Sequence, residues 1–218
     1  LNDNSPYDPL FNELWLETHE ASDQAVTIML MMGGAGLAYG ELFSDFETYY
    51  PLLKGLITEK SWIRGIDLDI EESVTLDNVK MLMNRLIKDF GEDFIITMAP
   101  VSASLMHDGS SMAGFSYKEL YLSEEGKYIQ WFNTQCYYSF SYDTYKSVVN
   151  NGYPPEKIVM GMESGQFDTD SFSKAIHEVN KINQEYPDFG GVYDWEYLNA
   201  PPDKDDPSQW AKLMKNLK

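Results

Sequence analysis

The stretch Gly65-Ile-Asp-Leu-Asp-Ile-Glu71 alternates strictly between apolar and acidic side chains. A strand turns successive side chains to opposite faces, so Ile66, Leu68 and Ile70 share one face and Asp67, Asp69 and Glu71 the other. At ~3.3 Å per residue the carboxylates stand in a row with a repeat of about 6.6 Å. Charges so placed cannot all ionise freely, and at least one proton is held or shared among them. Glu71, at the C-terminal end of the strand, is then the group best able to stay protonated and donate, as a general acid must.

The row also has a bland reading: a half-solvated strand of an antiparallel sheet, with its polar side chains in water. The rest of the chain argues against it. Ala25–Met32 is a continuous apolar run closed by Gly33 and Gly34, and Phe94–Ala99 is another, halted by Pro100. Further strands are expected at Ile63–Ile70, within Ile129–Phe140, at Ile158–Met162 and at Gly191–Tyr197. Apolar residues at Val79, Leu82, Met83, Leu86 and Ile87 have helical spacing, which predicts a helix over Leu76–Phe90 stopped by Gly91. Ser171–Glu185, with Ser171 as N-cap, and Gln209–Leu217 read as two more helices. Strands separated by helices imply βαβ units and an α/β fold with a parallel sheet, covered on both faces or closed into a (β/α)8 barrel. An inward carboxylate row is costly there, and such cost is tolerated mainly where it serves chemistry at the C-terminal ends of the strands. Ser102–Tyr128 lacks apolar periodicity and is expected as an extended loop with at most a short helix.

Composition narrows the ligand. The chain has 218 residues, enough for one sizeable core, with 35 acidic and 16 basic residues and a net charge of -19. That field repels nucleic acid and anionic membrane surfaces, and it suits a neutral or cationic ligand. The longest apolar stretch, near Ile28–Met32, is far too short to span a bilayer. His19, His107 and His177 are scattered without ligand spacing, so neither a metal nor another cofactor is expected. Cys136 is the single cysteine; it excludes an internal disulfide, leaves the compartment open, and reads as inert core.

Gly65–Glu71 resembles the signature Asp-x-x-Asp-x-Asp-x-Glu of glycoside hydrolase family eighteen, which includes chitinases and endo-β-N-acetylglucosaminidases. Arg64 stands where that signature has its first aspartate. Met32-Gly33-Gly34 is similar to the family's Ser-x-Gly-Gly strand end without the serine. Thr97–Pro100, Asn133–Tyr137 and Gly191–Tyr197 resemble its fifth, sixth and eighth strands. Leu1–Asp3 with Phe11–Trp15, Phe115–Tyr117, Trp131–Gln135 and Trp195–Asn199 look closest to fungal-type endo-β-N-acetylglucosaminidases. The resemblance covers nearly the whole chain as a single catalytic domain, 1–218, with strands three to eight of the barrel. It implies that the first one or two β/α units are missing, so that the sequence is a fragment or lacks its N-terminus. No signal peptide is visible at Leu1; secretion is favoured, and a monomer is expected.

The resemblance also implies a mechanism and a set of roles. Glu71 protonates the glycosidic oxygen, and the substrate's own 2-acetamido carbonyl oxygen attacks the anomeric carbon. Asp69 holds the acetamido N–H, Asp67 supports Asp69 from behind, and Tyr137 aligns the acetamido carbonyl. Trp195 floors the sugar, and Gln135, Asn133, Met98 and Tyr197 are further candidates to bind it, with Tyr193 and Glu163 nearby. Core packing is the lesser alternative for Trp195 and Tyr137; Gln135, two residues before Tyr137 on the same face, points to a lined cleft. The implied partner is an N-glycan, cut at its chitobiose core; chitin cleavage and an inactive glycan-binding relative are the alternatives.

Overall fold

The computed structural model describes residues 4–109 and 111–217, with only the backbone of Thr169 considered. Leu1–Asp3, part of the resemblance noted above, lie outside the described residues. The elements run α1 (Asn12–Asp23), β1 (Ile28–Gly33), α2 (Tyr39–Ser44), α3 (Phe46–Glu59), β2 (Ile63–Asp69), α4 (Leu76–Phe90), β3 (Ile95–Met98), α5 (Ser102–Met106), α6 (Tyr117–Leu122), β4 (Ile129–Gln135), α7 (Tyr142–Asn150), β5 (Ile158–Glu163), α8 (Thr169–Glu185), β6 (Gly191–Trp195) and α9 (Ser208–Lys215). This is the α/β pattern expected. The strands lie in the sheet in chain order, and β1 on β2, β4 on β5 and β5 on β6 are parallel. Among the described residues no helix is long and apolar enough to cross a membrane.

Two compact units make up the chain. One holds the residues up to Thr97 with Met112–Phe115 and Leu120–Ile129; the other holds Met98–Ser111, Ser116–Glu119 and the chain from Gln130 onward. In the first unit α4 forms where the apolar spacing predicts. Val79, Leu82, Met83 and Leu86 are fully buried, each worth about 1.5–3 kcal/mol of transfer free energy. Thr75 caps the helix by accepting from Asn78 N–H at 3.2 Å, and Gly91 ends it at φ +90°. Tyr50 of α3 donates to Asp89 at 2.9 Å under the Arg85 guanidinium, which ties α3 to α4. In the second unit Phe132, Met160 and Met162 of the strands are buried with Tyr145 and Val148 of α7 and Phe172, Val179 and Ile182 of α8.

Several boundaries differ from expectation. β2 ends at Asp69, so Glu71 follows the strand and does not stand on its last position; β3, β5 and α9 shift by one or two residues at an end. β1 starts at Ile28, since Ala25 has φ +64°, outside the extended range. The N-cap of α8 is Asp168, not Ser171. Asp168 Oδ1 accepts from Ser171 N–H at 2.8 Å while Ser171 Oγ accepts from Asp168 N–H at 2.9 Å, so Ser171 is the third residue of a capping box. β6 ends at Trp195, with Tyr197 in a 3-10 turn. Ser102–Tyr128 carries α5, α6 and a further 3-10 turn instead of an extended loop. Tyr117 and Leu120 are buried there, on helices too short to show a period.

Candidate active site

In the first unit, Asp67 and Asp69 occupy alternate positions of β2, half-buried, between the fully buried Ile66 and Leu68. Their register partners on β1 are Met31 and Gly33. Buried Thr97 of β3 donates through Oγ1 to Asp67 Oδ1. Gly33 and Gly34 shape the space at Asp69. Gly33 has φ +103°, and a Cβ there would stand 2.0 Å from the Asp69 carbonyl oxygen. Gly34 N–H donates to that oxygen at 2.8 Å. At φ +76° a Gly34 Cβ would reach 3.4 Å from Asp69 Oδ2. The glycine pair therefore lets the end of β1 lie directly on Asp69, which a side chain would prevent.

Glu71 is half-buried, two residues past the end of β2. Its neighbour Glu72, not singled out by its sequence, accepts three backbone hydrogen bonds. Glu72 Oε1 accepts from Ala38 and Tyr39 N–H, both at 2.6 Å, and Oε2 from Gly40 N–H at 2.9 Å. These amides open α2, where an anion is favoured. Burial raises the Glu72 carboxyl, but the three backbone donors outweigh it and hold the group below its ordinary range. No local signal marks Glu72 as a clamp, because its partners lie 32–34 residues upstream.

In the second unit, Gln135, Gly161 and Tyr193 stand in register across β4, β5 and β6, and Glu163 pairs with Trp195 two residues further along. Tyr193 crosses Gly161, where a Cβ would lie 2.2 Å from its ring, and its hydroxyl reaches the Asn133 carbonyl oxygen at 3.5 Å. Tyr137, just past β4, stacks on Trp195 with ring centroids 6.0 Å apart and planes at 27°. Trp195 is 53% exposed, so it does not serve as core packing. A cis peptide joins it to Glu196.

The other expected sugar contacts divide. Tyr197 is exposed, whereas Met98 is fully buried and Gln135 is buried with Nε2 donating to the Ala99 carbonyl at 2.9 Å. Asn133 Oδ1 accepts from Trp131 Nε1 at 3.0 Å. Glu163 accepts from Gln166 Nε2, and Gln166 Oε1 accepts from Tyr138 N–H at 2.6 Å. Cys136 is buried, and burial pushes its thiol up to about 12 against a Gly161 backbone hydrogen bond. Asp194, beside Trp195, is pushed up to about 6 by burial, against the Ser164 hydrogen bond and with the help of the Glu196 charge. The sequence flagged neither Asp194 nor Ser164; an acid flanked by aromatics on a strand was the available sign.

Chemically, the first unit offers a carboxylate row at a strand end, and the second offers an exposed Trp195 ring stacked on the half-buried Tyr137. Aromatic faces of that kind suit the C–H faces of sugars.

The solved structures with this fold are informative. The chain is similar to a fungal endo-β-N-acetylglucosaminidase from glycosyl hydrolase family 18, at 34% identity and TM-score 0.88, covering 100% of this chain and 81% of that one. It is similar to the chitinase ChiC from Aspergillus fumigatus at 33% identity and TM-score 0.83, covering 99% and 81%. The C-terminal domain of Legionella pneumophila ChiA shares the fold at 16% identity and TM-score 0.69, covering 93% and 83%. No protein-family model and no curated protein sequence matches the chain.

Proposed function

Because the chain belongs to glycosyl hydrolase family 18, we propose that it is a retaining glycoside hydrolase for β-1,4-linked N-acetylglucosamine, acting as an endo-β-N-acetylglucosaminidase on the chitobiose core of N-glycans. In this reading its six strands are strands three to eight of a (β/α)8 barrel. The observation that supports it most directly is the carboxylate row, with Asp67 and Asp69 on one face of β2 and Glu71 two residues beyond. Glu71 gives its proton to the leaving oxygen while the substrate's acetamido oxygen forms the bond to the anomeric carbon. Asp69 accepts from the acetamido N–H, Asp67 backs Asp69, and Tyr137 aligns the acetamido carbonyl. Glu71, now ionised, takes a proton from the water that opens the intermediate. Trp195 carries the sugar on its face, with Tyr197, Gln135, Asn133 and Met98 shaping the surroundings.

Chitin cleavage is the second reading, favoured by the 33% identity to the Aspergillus fumigatus chitinase. The two separate on substrate. A denatured high-mannose glycoprotein and chitin oligomers are incubated side by side with the protein and with Glu71→Gln. Release of glycan leaving one N-acetylglucosamine on asparagine supports the first reading; cleavage of chitin oligomers alone supports the second. Glu71→Gln should lower either rate by about 10²–10⁴-fold with binding retained. A variant as fast as its parent removes Glu71 from the mechanism, and binding without cleavage by the parent leaves a glycan-binding relative.

A further inference from the structure

Ser164, buried just past the end of β5, touches both neighbours of Trp195 in the chain. Its Oγ lies 2.6 Å from Asp194 Oδ2 and 2.8 Å from the Glu196 carbonyl oxygen. A serine hydroxyl has one proton to give. If Asp194 were ionised, both partners would be acceptors only, and one proton cannot complete two hydrogen bonds at these short lengths. One oxygen pair would then meet lone pair to lone pair. The count closes when Asp194 keeps its proton. Asp194 Oδ2–H donates to Ser164 Oγ, and Ser164 Oγ–H donates to the Glu196 carbonyl.

The other carboxyl oxygen agrees with this count. Among the described residues Asp194 Oδ1 is buried with no hydrogen-bond partner. That is costly for an oxygen sharing a full negative charge, and far less so for the carbonyl of a neutral acid.

We propose that Asp194 is a positioning residue that works as a neutral acid, and that the relay from Asp194 through Ser164 to the Glu196 carbonyl holds Trp195 ready for the sugar. This rests on the reading of Trp195 as a sugar-stacking residue. The acidic groups beside the relay are Glu196 and Glu163. Glu196 accepts from Asn199 Nδ2 at 2.8 Å on the 3-10 turn after β6, and Glu163, at the end of β5, accepts from Gln166 Nε2. The Glu196 charge acts with burial to keep the proton on Asp194. Once Asp194 has lost its proton, the Ser164 O–H turns to donate to the carboxylate and leaves the Glu196 carbonyl without its donor, so the hold on Trp195 loosens as pH rises.

Two measurements test this. The first is a carbon NMR titration of the Asp194 side-chain carboxyl in the unmodified protein, assigned through the backbone. A midpoint near about 6 is expected; a midpoint below about 4, the ordinary aspartate range, overturns the neutral acid. The second is calorimetric binding of chitotriose between pH 5 and 8, on the Glu71→Gln background so that the ligand survives. The parent should bind about fivefold more weakly above the midpoint, the size of one lost hydrogen bond. Asp194→Asn, whose amide N–H donates to Ser164 at every pH, should flatten that slope. Ser164→Ala should bind weakly even at low pH. Parallel slopes for Asp194→Asn and its parent overturn the relay. Unchanged binding in Trp195→Ala overturns the sugar reading and the link from relay to binding, and the NMR midpoint still judges the neutral acid.

Discussion

Glu72 is the acid whose loss should be felt most clearly in stability. Its carboxylate accepts from the N–H groups of Ala38, Tyr39 and Gly40 at 2.6, 2.6 and 2.9 Å. A hydrogen bond to a charged group contributes roughly 1.5–3 kcal/mol, and a lost helix cap costs about 1 kcal/mol. The three bonds share one carboxylate at a half-buried position, so they do not add, and solvent screening places the sum at the lower end. Glu72→Ala should therefore cost about 2–3 kcal/mol. In a chain of this size that is a fall in Tm of roughly 5–10 °C. Glu72→Gln keeps one oxygen for Ala38 and Tyr39 but turns an N–H toward Gly40, so it should lose about half as much.

The pH dependence gives a sharper test. The folded carboxyl lies below its ordinary value, so the unfolded chain takes up the proton first as pH falls. The stabilisation is present above the unfolded pKa and lost as pH falls through the folded one. Calorimetric melting of parent and Glu72→Gln between pH 3 and 8 should show a Tm gap that is constant near neutrality and closes toward acid. A gap that widens as pH falls, or equal Tm values at pH 7, would refute the clamp. Because Glu72 follows Glu71 directly, hydrolysis should also slow in variants that remain folded.

Three further outcomes follow from the geometry. Gly33→Ala should destabilise the protein by about 3 kcal/mol or more, read by denaturant unfolding, because φ is +103° and the new Cβ meets the Asp69 carbonyl oxygen at 2.0 Å. Gly161→Ala should displace Tyr193, whose ring lies 2.2 Å from the new Cβ, and the shift should appear in the near-ultraviolet circular dichroism. Cys136 should resist a thiol reagent in the native protein and react stoichiometrically once unfolded, since burial holds its thiol near about 12.

Several features of this protein were legible without coordinates because their causes are local. A strand repeats every two residues, so the alternation from Gly65 to Glu71 was enough to put Asp67 and Asp69 on one face. A helix repeats every 3.6 residues, and the stripe from Val79 to Ile87 was enough to define α4. Helices with weaker stripes were not individually legible: α1 buries only Trp15, and α3 carries Pro51 inside its span. Other features depend on residues brought together from distant parts of the chain. The alternation marks Glu71 and is silent on Glu72, which the amides of Ala38, Tyr39 and Gly40 make a clamp. Asp194 is an ordinary aspartate until burial and the single proton of Ser164 give it another state. Periodicity assigns faces because each residue's direction follows from its neighbours in the chain. Donors and acceptors are matched through space, and only the tertiary fold decides which of them meet.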